Sequence, residues 1–500
     1  MNTADSARET RGSSTDSLLG FAGVFLLLGL AAGLECVKLA SLREPGIWGH
    51  LRAGAWILQN KAWPHTGIFS QAQNLSWQDF SWGYDALAAV LYRLAGLRAV
   101  PLLLLVSRFA LALISFLLAG GWRNLWPAVI LSATAQYVLF SMGPSSAIVS
   151  VVFGGIELLV LFGARESGSL RMLRWLPALF VCWANLDGGF VYGIALYGIF
   201  VAASLLEHWQ IRSKLHWLDQ PAGQAPLKSW LLYGGACVLA SLLNPYTIHA
   251  YGSFLTNEFS PVNQHLPFYT AMSFRQPQDY VLMLLGMVAY LGLGLRRSRN
   301  AFSIGVLVGS MALAFHAQRE AWVLALASAA VIGHCILRSA EAGAASGLRD
   351  WNAPRLGVAA AALSVALVLF FAHVPKRQDV LLAKVAEHFP VRAADFLRTH
   401  PQPAPFFNVY QWGAFLTWYL PEYPVAIDGR RGLYPEETEL GYFKAMNADI
   451  PYRQFPPMNR ARTFLMDKAG IMGEALRGVK GFQAIYEDNL SIVYSHETQE

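Results

Sequence analysis

Charge is scarce in this chain. Of its 500 residues only 14% are Asp, Glu, Lys or Arg, where a soluble globular chain carries about a quarter. Hydrophobic residues make up 55%. That balance excludes an ordinary soluble domain and places the chain with membrane proteins. Cysteine is also sparse. Cys36, Cys182, Cys237 and Cys335 each lie in an apolar run, which reads as small buried hydrophobes rather than a disulfide set or a metal site. No phosphate-cradling glycine loop, no His/Cys ligand spacing, no internal repeat and no low-complexity tract is present. The net charge of +6 forms no basic patch interleaved with aromatics, so nucleic acid is not an expected partner. The missing repeat weighs against a secondary transporter, which is usually built from two similar halves with broken helices at mid-membrane.

What the chain does have is an alternation of apolar runs with short basic stretches. A spanning helix takes about 20 apolar residues, and the runs predict about eleven spans: 17–41, 99–120, 124–142, 146–164, 174–187, 189–206, 229–244, 278–295, 301–317, 321–338 and 356–374. The two short ones, 174–187 and 189–206, flank Asp187. The first run is too long for a signal-peptide core and lacks a small-residue cleavage site, so it reads as a retained span. Arg8/Arg11, Arg123, Arg165/Arg171/Arg174, Arg212/Lys214/Lys228, Arg296/Arg297/Arg299 and Arg338/Arg349/Arg355 fall between the runs. Positive residues near span ends stay in the cytoplasm, which predicts a cytoplasmic N-terminus, a cytoplasmic loop at 207–228 and an extracytoplasmic C-terminus.

Residues 81–97 look like one more span, but counting them would turn several basic stretches outward. They are therefore expected, like 47–60, to lie as amphipathic helices on the outer surface. Residues 42–98 become one large outer loop whose tryptophans suit an interfacial belt. From 376 the composition turns acidic. Strand-like runs at 406–410, 424–427, 463–466, 483–486 and 491–494 and a helical stretch at 380–399 predict a small outer α/β domain over 376–500. The expected fold class is thus mainly α: a polytopic membrane helix bundle over 1–375 with a small C-terminal extracytoplasmic α/β domain.

Specific motifs sit in the outer segments. Glu44-Pro45-Gly46-Ile47-Trp48-Gly49-His50-Leu51 is followed by Trp63-Pro64, Phe69-Ser70, Trp77 and Trp82-Gly83-Tyr84-Asp85. Further on come Trp183-Ala184-Asn185-Leu186-Asp187-Gly188-Gly189-Phe190, Asn244-Pro245-Tyr246, Glu258-Phe259-Ser260-Pro261, Gln318-Arg319, Phe407-Asn408-Val409-Tyr410-Gln411-Trp412-Gly413 and Ile427-Asp428-Gly429-Arg430. Their order and common sidedness resemble bacterial membrane proteins related to the GT-C glycosyltransferases, among them the protein mannosyltransferases and the aminoarabinose transferases of lipid A. The resemblance covers most of the chain. It implies a bacterial inner-membrane protein and a lipid-linked sugar donor, typically a polyprenyl phosphate sugar. The glycosyl group would pass to a lipid, glycan or protein acceptor on the outer face, with an acid of the first outer loop as general base. Three positions depart from the pattern of those relatives. Gly46 stands where they have a second acid, Asp187 where they have a histidine, and Gly143-Pro144-Ser145 where they often have Arg-Pro-Gln.

Inverting glycosyl transfer needs a carboxylate to take the proton of the attacking hydroxyl and positive charge near the leaving phosphate. Glu44, directly after the first span, is the candidate base; otherwise it is a solvated carboxylate capping the next helix or pairing with Arg43. Asp85 is placed to hold a sugar hydroxyl or a metal, or is a plain surface acid. His50 orients a carboxylate or phosphate, or packs among tryptophans. Arg319 and Asp187 sit at span ends, where an ionised group is costly unless paired or wetted. Arg319, with His316 and Gln318, suits a phosphate, against a salt bridge to Glu320 or Asp187. Asn185 is expected to hydrogen-bond between helices. The candidate substrate-binding set is His50, Asp85, Asn185, Asp187, Glu258 and Arg319. No cofactor is predicted, and nothing in the sequence supports a divalent metal. Arg108, inside a span, calls for a partner such as Glu157. Asp428 either binds substrate or caps a tight turn through its own backbone. The alternative to an enzyme is a GT-C-like scaffold that only binds a glycolipid or a protein partner.

Overall fold

The computed structural model describes residues 39–213, 217–219, 227–340 and 353–497. The first expected span lies almost wholly outside them, as do parts of the 207–228 loop. Helices hold 68% of the residues and a single small sheet lies near the C-terminus, so the mainly helical class is what the structure has. The helices that position the site are α1 (Gly46–Asn60), α2 (Trp82–Ala95), α3 (Ala99–Leu118), α4 (Leu125–Val138), α5 (Ala147–Ser167), α6 (Leu176–Leu186), α7 (Phe190–Arg212), α8 (Leu227–Ser241), α9 (His249–Glu258), α10 (Pro277–Leu295), α11 (Ala301–His316), α12 (Ala321–Ala340) and α13 (Ala353–His373).

Among the described residues five helical stretches are long and apolar enough to cross a membrane: Trp82–Leu118, Ala147–Ser167, Phe190–Arg212, Pro277–Leu295 and Gln318–Ile336. A sixth exists if Gly357–His373 and Gln378–Val385, which meet at 90°, form one broken span. The described residues therefore do not confirm the expected count of eleven. The runs at 124–142, 174–187, 229–244 and 301–317 contain helices of 14, 11, 15 and 16 residues, short of a crossing on their own.

Residues 81–97 do not form a separate surface element. A single turn of 3-10 helix, Gly96–Arg98, joins α2 to α3, and together they make one apolar stretch of 37 residues. At 1.5 Å per residue that stretch is about 55 Å long, far more than the ~30 Å hydrocarbon core. Helix α1 differs from expectation too. Its apolar side, with Ile47, Trp48, Leu51 and Ile57, is buried by protein. Trp48, expected in a belt, is completely enclosed and meets Phe389, Phe415 and Trp418 of the C-terminal segment at ring separations of 4.7–5.7 Å.

The C-terminal segment carries α14 (Gln378–Val385), α15 (Val391–Thr399), β1 (Phe406–Asn408), α16 (Tyr410–Tyr419), α17 (Glu436–Met446), β2 (Thr463–Asp467), β3 (Phe482–Glu487) and β4 (Ser491–His496). The sheet order is β1-β2-β4-β3, with β1 parallel to β2 and the other pairings antiparallel. The stretch 380–399 is helical as expected, in two helices, but 424–427 is not a strand. Within the latter only Val425 pairs, with Ser70 of the large loop, and Gln71 N–H donates to the Val425 carbonyl.

Those contacts put the 42–98 loop and the C-terminal segment at one end of the molecule. The described basic segments around Arg165 and Arg299 lie away from it. Arg165 pairs with Glu207, Glu166 with His334, and Asp219 accepts from Ser298 Oγ and Arg299 N. Helix α5 runs between the ends, about 31 Å at 1.5 Å per residue over its 21 residues.

Candidate functional site

Helices α1 and α2 pack closely because Gly54 has no side chain. A Cβ there would lie 1.9 Å from the Asp85 carbonyl oxygen. One turn earlier on α1, His50 faces Asp85, and its Nδ1 donates to Asp85 Oδ1 at 2.6 Å. Tyr84 sits edge-on to the imidazole, ring centroids 5.1 Å apart. Burial alone would lower the His50 pKa. The charge and hydrogen bond of Asp85, with the charges of Asp79 and Asp187, outweigh it and raise the value.

Glu44 follows a 3-10 turn (Ala40–Arg43) and precedes α1. Burial pushes its carboxyl up, while the Gly46 N–H and His50 pull it back. Its carboxylate fills the space over Gly143, where a Cβ would be 2.4 Å from Glu44 Oε2 and 2.8 Å from its Cδ. A side chain at 143 and the Glu44 carboxylate cannot both occupy this space.

Asp187 lies at the end of α6 and is fully engaged. Ser146 Oγ donates to its Oδ1 at 2.6 Å, and Ser150 Oγ and Gly189 N donate to its Oδ2. Asn185 bridges three segments, accepting from Trp82 Nε1 at 3.1 Å and donating to the Leu243 and Val181 carbonyls, both at 2.8 Å.

The late arginine belongs to a second cluster. Arg319 pairs with Glu258 and, through Nε at 2.8 Å, with Glu320. Glu320 also accepts from Tyr192 Oη at 2.7 Å and Trp322 Nε1 at 3.0 Å. The Arg319 guanidinium lies over the Tyr269 ring at 4.2 Å, and so does that of Arg431 at 4.7 Å. Arg431 also donates to the Asn257 carbonyl at 2.7 Å. This cluster ties the C-terminal segment to the 257–276 loop. Of the sequence candidates, then, Glu44, His50, Asp85 and Asp187 converge, while Arg319 and Glu258 pair elsewhere. Asp428 caps its turn, accepting from Arg430 N at 3.0 Å and holding the Arg430 side chain. Arg108 does not pair with Glu157. It donates to the Leu139, Phe140 and Met142 carbonyls, just past the end of α4. Glu157 is fully buried, and neither of its oxygens has a hydrogen-bond partner among the described residues.

One site residue escaped the sequence reading. Asp79 is only 2% exposed. Its Oδ1 accepts from the Ser81 N–H and hydroxyl, both at 3.1 Å, and its own N–H donates to Tyr246 Oη. Burial first, then the neighbouring Asp85, pushes its pKa well up. The available signal was the Asp79-Phe80-Ser81 turn just before a helix start. Among the described residues no group of three or more His, Cys, Asp and Glu side chains is arranged to hold a metal ion.

Helices apolar and long enough to cross a membrane, with a small C-terminal sheet segment packed against residues 42–98, make a fold that solved oligosaccharyltransferases share. A particular solved structure with this fold is the oligosaccharyltransferase AglB of Archaeoglobus fulgidus, in complex with an inhibitory peptide and a dolichol-phosphate. It matches over 96% of this chain and 74% of its own, with a TM-score of 0.55 at 12% identity. The apo oligosaccharyltransferase of the same organism matches over 89% and 69% (TM-score 0.49, 12% identity). Apo ArnT from Cupriavidus metallidurans matches over 97% and 98% (TM-score 0.46, 14% identity). At such identities the likeness is one of fold. No family model matches the chain, and no curated protein matches it in sequence.

Proposed function

We propose that this chain is a bacterial inner-membrane glycosyltransferase. It moves a hexosyl or pentosyl group, with inversion, from a polyprenyl-phosphate-linked donor to a lipid, glycan or protein acceptor on the extracytoplasmic face. The N-terminus is cytoplasmic, and the 42–98 loop and the C-terminal domain face outward together. The observation that carries this reading is the Glu44 carboxylate, half-buried with its pKa raised by burial beside the His50–Asp85 pair. A carboxylate so tuned is a stronger general base than one in water. Asp85, through His50, keeps that pair in register with the acceptor. Arg319 meets the donor phosphate by exchanging one of its two carboxylate partners for it. The fold shared with AglB, whose structure holds a dolichol-phosphate, supports a lipid phosphate as leaving group; the step from fold to activity is an analogy.

Glu44→Gln tests the reading. With the protein inserted and folded, the variant is expected to abolish transfer of sugar from polyprenyl-phosphate donors in isolated membranes, read as loss of one glycosylated envelope product by mass spectrometry. An unchanged product profile would refute it. One observation favours a second reading, a glycolipid-binding scaffold without turnover: Arg319 is already held by Glu258 and Glu320, and that leaves the leaving group without a cation. In that case Glu44→Gln changes neither product nor phenotype, while glycolipid still binds.

A further inference from the structure

Helix α9 enters the Arg319 cluster only through its last residue, Glu258. Around its axis the side chains fall into three sectors. The first is packed. Tyr251 lies edge-on to Phe190, ring centroids 5.1 Å apart, and its hydroxyl meets Ser241 Oγ at 2.5 Å. Phe254 lies edge-on to Tyr192 at 5.2 Å. Ala250 and Glu258 are buried beside them. The second sector is polar. Ser253 donates to Gln78 of the large loop at 3.1 Å, and His249 and Thr256 are exposed. The third is apolar and open. At 100° per residue, Ile248, Gly252, Leu255 and Phe259 share an arc of about 60°. The three side chains are 60%, 49% and 71% exposed, and a Cβ on Gly252 would meet nothing within 4 Å.

This open stripe continues one on the preceding helix. Leu232 and Leu239 of α8, and Leu243 just past its end, are 67–71% exposed, and Gly235 is as open as Gly252. In a membrane chain such a leucine side faces lipid tails, which are as apolar as leucine itself. The turn between the two helices belongs to the outer end, because Tyr246 donates to the Pro64 carbonyl of the large loop at 3.2 Å. An apolar flank running on from a lipid-facing helix, beside a polar flank, is the pattern of a helix seated at the membrane boundary. Apart from the buried Glu258, α9 carries no Asp, Glu, Lys or Arg, so nothing on it suits a partner recognised by charge.

We infer that the Ile248–Leu255–Phe259 face of α9 is covered by phospholipid acyl chains of the outer leaflet, with His249 and Thr256 turned to water. The sequence placed interfacial helices at 47–60 and 81–97, but the first is enclosed by protein and the second joins a crossing stretch. Glu258 directly precedes Phe259 and turns inward to Arg319, so that ion pair sits beside the hydrocarbon edge and not out in water.

Nitroxide side chains test this. Ile248→Cys, Leu255→Cys, Phe259→Cys, His249→Cys and Thr256→Cys are labelled one at a time in the full chain, with its four native cysteines replaced by alanine. Each protein is reconstituted into vesicles of phosphatidylcholine and phosphatidylglycerol. Power saturation then compares collisions with oxygen, which concentrates in hydrocarbon, and with a water-soluble nickel chelate. Oxygen should dominate at 248, 255 and 259, and nickel at 249 and 256. Nickel dominance at 255 and 259 would put the face in water and overturn the inference. Low access to both reagents there would mean that protein covers it, a second copy or another partner, and would overturn it equally. Should the cysteine-free chain not fold, the unaltered protein is irradiated in vesicles whose acyl chains carry a diazirine. Adducts on Ile248, Leu255 or Phe259 support the inference. Their absence, while the exposed Leu284 and Leu291 of α10 are labelled, overturns it. Neither measurement depends on glycosyl transfer, so this inference and the Glu44→Gln result can fail separately.

Discussion

Gly143→Ala probes the space that the Glu44 carboxylate occupies. The new methyl would sit 2.4 Å from Oε2, 2.8 Å from Cδ and 2.9 Å from Cγ of Glu44, where optimal carbon contacts lie at about 3.5–4.0 Å. Gly143 is not in the left-handed backbone region, so the cost is contact alone. Glu44 cannot swing away freely, because its carboxylate is tied to the Gly46 N–H. The carboxylate must recoil by roughly 1 Å, and overpacking of this kind costs about 1–3 kcal/mol. Against it stands a gain of roughly 0.4–1 kcal/mol from the stiffer unfolded chain. The clean measurement is a double-mutant cycle by denaturant unfolding in micelles. Gly143→Ala should destabilise the parent protein, yet be neutral or slightly stabilising in a Glu44→Ala background, with a coupling of about 1–3 kcal/mol. In the Glu44-containing protein a ~1 Å displacement of the base should also lower transfer on the order of a hundredfold. Equal destabilisation in both backgrounds would refute the claim that the two residues share one space.

Two other outcomes are expected. Burial pushes Glu439, on α17, up to about 7 from its ordinary 4.5, so the folded protein keeps a proton that the unfolded chain has lost. Stability from this group is full below pH 4.5, falls as pH rises to about 7 and is flat above. The fall is at most about 3 kcal/mol, and Glu439→Gln should remove it in unfolding curves taken at pH 5 and pH 8. Arg319→Ala leaves Glu258 and Glu320 buried without their cation, which should cost about 3–5 kcal/mol. Adding Glu258→Gln to it should recover part of that loss in the same assay, and no recovery would mean the pair is not what the arginine serves.

The acids of the first loop were legible in sequence because each rides on a strong local signal. Glu44 and His50 flank a helix start, and Asp85 opens an apolar helix rich in aromatics. Asp187 was legible as a site but not in its role, since its partners Ser146 and Ser150 are 41 and 37 residues away. Asp79 looked like any loop acid, because what seals it, Tyr246, lies 167 residues on. The Arg108–Glu157 pairing failed for a related reason. An arginine reaches its opposite charge only if no nearer acceptors offer themselves, and three carbonyls past the end of α4 did. The strand expected at 424–427 had the right composition, but only one of its residues pairs, and with the distant loop. Hydropathy measures how apolar a run is and not where its helix stops, so eleven apolar runs need not match the five or six helices long enough to cross among the described residues.

Tyr269 receives the guanidinium of Arg319 and that of Arg431, which lie on either side of residue 375 in the sequence. Homologous recombination that swapped everything beyond that point for a cousin's tail would bring a foreign surface to this aromatic plate and to the Trp48 socket at once. Lineages carrying such a graft would have to remodel loop and tail in concert, and the two should therefore drift together over evolutionary time rather than circulate as interchangeable parts.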